Sequence, residues 1–273
     1  MSMRRTVVSW LDEHAPRLIG KARYGYHVGY RGDIVYPRVT GPLYERLGSR
    51  SASAVDVGAN VGIFTRYLCK HFAAVAAVEP VPYLADRLSR STPANCTVHP
   101  VALGGHDGEV TLRIPVDDAG NETPALSTAS SDNRLAFIKN AGTVDRVVPV
   151  RRLDALVEGM TNVAFVKIDV EGFEAAVLAG SQTLLADRRP VFQIEIGRAH
   201  NPAWRDVIAL LDAAGYDAFA LASDGLRRDV LRFIEEQPVE VSAKDGASPP
   251  GCWDYLFTPR EKTKVLVEGL VRN

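Results

Sequence analysis

Val55-Asp56-Val57-Gly58-Ala59-Asn60-Val61-Gly62, running on into Ile63-Phe64-Thr65-Arg66-Tyr67-Leu68, decides the fold. An apolar stretch ends in an acid, turns on Gly58 and Gly62, and continues as a helix with Phe64, Leu68 and Phe72 spaced i, i+4, i+8. A second apolar run, Ala73 to Val78, delivers Glu79 twenty-three positions after Asp56. Strand, glycine turn, helix and a strand ending in an acid make the nucleoside-binding half of a doubly wound sheet. Glycines let the backbone pass close to a ligand, and the second acid suits the two hydroxyls of a ribose.

A dinucleotide fingerprint, G-x-G-x-x-G, would hold a pyrophosphate on the helix N-terminus. Here Ile63 falls where the third glycine belongs, and Asp56 sets a carboxylate on the approach to the turn. That charge repels a diphosphate and suits a ligand with a cationic amino-acid end, such as S-adenosylmethionine. A nicotinamide-dependent oxidoreductase and a non-catalytic binding module of the same fold remain the alternatives. The competing structural account makes Asp56 a helix cap and Glu79-Pro80 the start of the next helix, with Pro82 in its first turn.

With 273 residues, 46% hydrophobic and 24% charged, the chain is long enough for one sizeable core. Lys and Arg number 32 against 33 Asp and Glu, a balance that offers no bulk attraction for nucleic acid or an anionic membrane. Cys69, Cys96 and Cys252 lack metal-ligand spacing and read as reduced packing residues of a cytoplasmic protein. No apolar run is long enough to span a bilayer. A homodimer is left open.

Residues 1 to 50, punctuated by Gly, Pro and Tyr, read as an N-terminal cap or lid, and 51 to 273 as the catalytic domain. Cys96 to His99, running into Val101 to Gly104, reads as the third strand, and the alternating Glu109 to Ile114 as a half-exposed one. Residues 117 to 134 are polar and aperiodic, a loop expected to close over an acceptor. Val147 to Val150, Val163 to Asp169, Val191 to Ile196, Tyr216 to Leu221 and Cys252 to Thr258 read as strands, and Phe173 to Ala186 as a helix. The last two strands, joined without a helix, predict a mostly parallel sheet with one antiparallel member at an edge.

Lys167-Ile168-Asp169-Val170-Glu171-Gly172-Phe173-Glu174 ends another strand in acid and turns into a helix, and Glu195 ends the next strand. Ligands in open α/β sheets sit beyond the carboxyl ends of the strands, so Asp169, Glu171 and Glu195 share a rim with Asp56 and Glu79. For Glu171 and Glu174 the competing account is helix N-terminal capping. Asp169 and Glu195 each interrupt a buried strand, which costs free energy unless a partner is present.

Together with Glu79-Pro80, Val101-Ala102-Leu103-Gly104 and Gly180, these blocks resemble FkbM-type S-adenosylmethionine-dependent methyltransferases over about residues 50 to 260. The resemblance implies a class I methyltransferase Rossmann-like α/β fold, a seven-stranded sheet with helices on both faces, and methyl transfer to a hydroxyl oxygen of a sugar, glycolipid or related metabolite. It further implies that Asp56, Gly58, Asn60 and Gly62 cradle the methionine end, that Glu79 holds the ribose, and that Ala102 and Leu103 lie near the adenine. An alcohol is a weak nucleophile until its proton is accepted. The candidates for that role are Asp169, Glu171, Glu195 and His200, which follows Glu195 on the same rim. The alternative is a magnesium ion between Asp169 and Glu195; the metal-free site, with Asp169 or Glu171 as base, is slightly preferred.

Overall fold

The computed structural model describes residues 36–116, 120, 122–123, 127–131, 142–198, 201–237 and 253–272. Eight strands form the main sheet, in the order β10-β9-β11-β8-β7-β1-β2-β3. These are β1 (Ser53–Val57), β2 (Ala74–Val78), β3 (Cys96–His99), β7 (Val163–Ile168), β8 (Val191–Glu195), β9 (Tyr216–Ala222), β10 (Gly225–Arg227) and β11 (Asp254–Pro259). From β3 to β8 every neighbouring pair is parallel. All five residues of β1 are buried, although their side chains alternate between faces. Both faces are therefore covered, as a central parallel strand requires.

The sheet has one strand more than expected, and its antiparallel members stand elsewhere. β11 pairs antiparallel with both β8 and β9, so it lies inside the sheet, and β10 turns back on β9 to form the edge. Between β9 and β11 the chain also forms a helix, Val230–Glu235, in a stretch read as lacking one.

A second sheet, in the order β4-β6-β5, joins β4 (Ala102–Leu103), β5 (Gly108–Pro115) and β6 (Thr143–Arg151). The run read as a continuous third strand thus divides: Cys96–His99 stays in the main sheet, while Ala102–Leu103 pairs with β6.

Helix α1 (Pro37–Arg46) buries Val39, Thr40, Leu43 and Tyr44. The Tyr44 ring meets Phe72 and Phe165 edge-on, at centroid distances of 5.1 and 4.9 Å. These residues of the expected lid are core, whereas positions 1–35 lie outside the described residues. Helix α2 (Ile63–His71) follows the glycine turn and packs Phe64 and Leu68 inward. Helix α3 (Pro82–Ser91) links β2 to β3, and α4 (Leu153–Val157) precedes β7. The helix expected over 173–186 is shorter: α5 (Glu174–Ala179) stops at Gly180, and a π-helical segment covers Leu184–Arg188. A Cβ at Gly180 would lie 2.1 Å from the Gly104 carbonyl oxygen, so only glycine fits where α5 ends against the chain that leaves β4. Cys69 and Cys96 are free, partly buried thiols; Cys252 lies outside the described residues.

Candidate functional site

A cavity of about 240 Å³ opens beyond the carboxyl ends of β1, β2, β7 and β8. Two turns shape its floor. After β1, Gly58, Asn60 and Gly62 all take left-handed backbone angles, with φ of 81°, 48° and 78°. Asparagine tolerates that region better than other residues with a Cβ. The Gly58 and Ala59 N–H groups both donate to the Val78 carbonyl, which ties the turn to the end of β2. After β7, Glu171 and Gly172 are left-handed in succession, with φ of 52° and 96°.

Glu79 underpins the first turn. One carboxylate oxygen accepts the Asn60 N–H at 2.8 Å and the other accepts the Val81 N–H at 2.9 Å. Each oxygen keeps a lone pair free, and the side chain faces the cavity. Burial pushes its pKa up to about 7, against the pull of those two N–H groups. Glu174 underpins the second turn: it accepts the Gly172 N–H at 3.1 Å, a longer contact from the Val170 N–H, and the Asn201 side-chain amide at 2.6 Å. Burial lifts this carboxyl also to about 7. Its role is to hold the turn, the structural alternative weighed above.

Of the site residues expected from the sequence, Gly58, Asn60, Glu79, Ala102, Leu103, Asp169, Glu171 and Glu195 line the cavity together. Asp56 and Gly62 do not. Asp56 is buried beneath the turn, where its carboxylate accepts the Thr65 hydroxyl of α2. Burial raises its pKa to about 6. Gly62 begins α2 with its missing side chain facing Leu88. His200 lies outside the described residues.

Several lining residues had been given no individual role, among them Val81, Phe173 and Ser127. Ser127 belongs to the polar loop, whose described part folds back as a bridge between Arg113 and Thr128. The Thr128 hydroxyl donates to the Glu171 carbonyl at 2.7 Å, so this piece of the loop rests on the second turn.

Lys167 was also unassigned, although a lysine inside Val163–Ile168 interrupts a buried strand as Glu195 does. Its ammonium stands 3.3 Å from Asp169, 3.5 Å from Asp254 and 4.0 Å from Glu195. Burial works against the charge, but Asp169, Asp254, Glu195 and Asp56 together hold its pKa above the ordinary lysine value. Glu195, one-third exposed, is pushed up by burial and by Asp169, against the pull of Lys167. The expected magnesium position does not fit these residues: a lysine ammonium lies within 4.0 Å of both expected ligands. Among the described residues, no group of three or more His, Cys, Asp and Glu is arranged to hold a metal ion.

The raised carboxyls give the ligand-free protein a definite pH dependence. Asp56, Glu79 and Glu174 ionise near pH 4 when unfolded and keep their protons to about 6 or 7 when folded. Their contribution to stability is therefore fully present below the unfolded values and is lost as pH rises through the folded ones. At roughly 1–3 kcal/mol per group, the thermal midpoint is expected to fall between about pH 4 and about pH 7. A midpoint that rises over that interval would mean that these acids are stabilised in their ionised form.

Residues 56–218 match the family model described as the methyltransferase FkbM domain. No curated protein matches the chain. Among solved structures, methyltransferase FkbM from Methylobacillus flagellatus KT aligns at 16% identity over 76% of this chain and 43% of its own, with a TM-score of 0.41. This chain thus spans less than half of that protein's length. Precorrin-6y C5,15-methyltransferase from Geobacter metallireducens GS-15 aligns at 12% identity, over 66% of this chain and 71% of its own, with a TM-score of 0.36. Magnesium protoporphyrin IX methyltransferase from Synechocystis PCC 6803, with bound S-adenosylmethionine, aligns at 13% identity, over 80% and 88% of the two chains, also at 0.36. Among the described residues no helix is long and apolar enough to cross a membrane. The family match covers more than half of the sequence and sets aside the nicotinamide alternative: this chain belongs to the FkbM family of S-adenosylmethionine-dependent methyltransferases.

Proposed function

We propose that the chain transfers a methyl group to a hydroxyl oxygen of a sugar, glycan, glycolipid or related metabolite. The observation that carries this reading is the pair of carboxylates, Asp169 and Glu195, at the ends of adjacent strands on the cavity wall that also bears Glu79. The cavity suits the cofactor. Glu79 offers free lone pairs to a ribose diol, Ala102, Leu103 and Val81 form an apolar wall for a base, and the turn at Gly58 and Asn60 lets backbone approach the amino-acid end. Bound S-adenosylmethionine supplies an electrophilic methyl group on a sulfonium.

The protein then has to align an oxygen and take its proton. Asp169 receives the proton, and Glu195, at the end of the adjacent strand on the same cavity wall, orients the acceptor hydroxyl. Glu171 faces the same space from the second turn. Acceptor selection is assigned to the N-terminal segment 1–50 beside the 51–273 domain, with its helix α1 serving as a core anchor and not as a cover.

The test is a screen of neutral glycans, glycolipids and polyhydroxy metabolites with radiolabelled S-adenosylmethionine, beside calorimetry with S-adenosylhomocysteine. Asp169→Asn is expected to lower turnover by at least about a hundredfold, the scale of a lost acid–base or orienting group, while leaving S-adenosylhomocysteine affinity close to wild type. Binding without transfer to any hydroxyl acceptor would favour the non-catalytic module. Full turnover in Asp169→Asn would remove Asp169 from the reaction.

A further inference from the structure

Across β1, β7 and β8, Asp56, Lys167 and Gln193 stand at one register level. Two residues nearer the cavity, Asp169 and Glu195 end their strands, and Asp254 stands opposite Glu195 on β11. Side chains two apart on a strand share a face, so Lys167 points into the space beneath Asp169, Glu195 and Asp254. It is 4% exposed and does not line the cavity, whereas Asp169 and Glu195 do. The Phe64 ring lies 5.8 Å from its ammonium on the other side, and the Gln193 amide donates to Asp254 at 2.8 Å. A buried lysine ammonium has three donors and no acceptor; here it stands 3.3–4.0 Å from three carboxylates of three strands, paired by charge and not by a hydrogen bond to any of them.

We propose that the Lys167 ammonium is the built-in cation of this site, occupying the position between Asp169 and Glu195 that a divalent ion would take and positioning both carboxylates at the cavity edge. Lys167 acts through those two groups and does not touch the acceptor. A fixed ammonium balances part of their charge and restricts their orientation without providing an open coordination position. A divalent ion bound to the same two carboxylates would be repelled by the ammonium that already lies within 4.0 Å of each. Removing the lysine side chain to Ala leaves a carboxylate cage with room for a hard cation. The geometry requires no statement about the acceptor; only the positioning of catalytic groups rests on the methyltransferase reading.

The experiment is a titration of the full chain with Mn²⁺, followed by water-proton relaxation, for wild type, Lys167→Arg and Lys167→Ala, beside S-adenosylhomocysteine calorimetry on each. Wild type and Lys167→Arg are expected to bind no Mn²⁺ at this site, and Lys167→Ala to gain one ion per chain that Glu195→Gln in the same background removes. The charge-conserving variant separates loss of the cation from loss of packing: a gain in Lys167→Ala and none in Lys167→Arg assigns the ammonium as the charge that fills the carboxylate cluster. Folded Lys167→Ala that gains no ion overturns the proposal. Should Lys167→Ala not fold, wild type decides: an ion held by wild type and released by Glu195→Gln overturns it, and absence of binding supports it. Wild type that fails to bind S-adenosylhomocysteine counts against the methyltransferase reading alone, since the Mn²⁺ titration is read independently.

Discussion

Glu79→Ala is expected to weaken S-adenosylhomocysteine binding by about 3 kcal/mol, roughly a hundredfold, from two losses in one place. The charged acceptor for the ribose hydroxyls disappears, and the Asn60 and Val81 N–H groups lose the carboxylate that fixes the turn. The fold is expected to survive, because both N–H groups border the cavity and water can reach them. A pH test follows from the raised pKa of about 7. The ionised form accepts hydrogen bonds best, so wild-type affinity should fall from about pH 8 to about pH 6. That slope should be absent in Glu79→Gln. Calorimetry decides both points, and unchanged affinity in Glu79→Ala would exclude Glu79 from the cofactor site.

Gly58→Ala is expected to be the most damaging single methyl group in the chain. Its Cβ would lie 1.8 Å from the Asp169 carbonyl oxygen and 2.9 Å from the carbonyl carbon. Both are backbone atoms, held by the Val57–Ile168 pairing and by the Asp169 N–H donating to the Val57 carbonyl at 3.0 Å. No side chain can swing aside, so the ends of β1 and β7 must separate. The expected cost is about 4 kcal/mol or more, at the upper end for point mutations, including the strain of an alanine at φ 81°. Gly269→Ala is the control: its φ is 72° but nothing lies within 4 Å of the added carbon, which leaves only about 1–2 kcal/mol of backbone strain. Urea unfolding of the two variants should separate clash from strain. Equal losses would mean that the contact with Asp169 relaxes freely.

The parts of the fold that can be read from the sequence are those whose cause is local. Buried parallel strands appear as short apolar runs, and the acids at their ends stand out because hydrocarbon precedes them; β1, β2, β7 and β8 were legible for that reason. The second sheet was not, since β4 is only two residues long and its partners in β6, Val150 and Arg151, lie 48 positions on. Neither was the insertion of β11, because a strand's own residues do not state which strands it will pair with. The helix after Phe173 was overextended because its apolar spacing runs on past Gly180, the C-cap, where a close approach to the distant Gly104 carbonyl admits only glycine. In the site, Asp56 was read at the cavity because it precedes the turn; its side chain instead turns down toward Thr65. Lys167 shows the converse. Burial of a charge demands a partner, as it does for Glu195, and weighing the lysine in the same way would have pointed to a cation among the rim acids.

The place of β11 has a consequence for synthesis. It arrives last among the strands and enters between β8 and β9, which stay unjoined until it does. A nascent chain that has not yet released residues 254–259 from the ribosome carries two open strand edges in its interior, the kind of surface that recruits other chains. The same insertion brings Asp254 to Lys167. Closure of the sheet and completion of the charge cluster are therefore one event, and a partly made chain has neither.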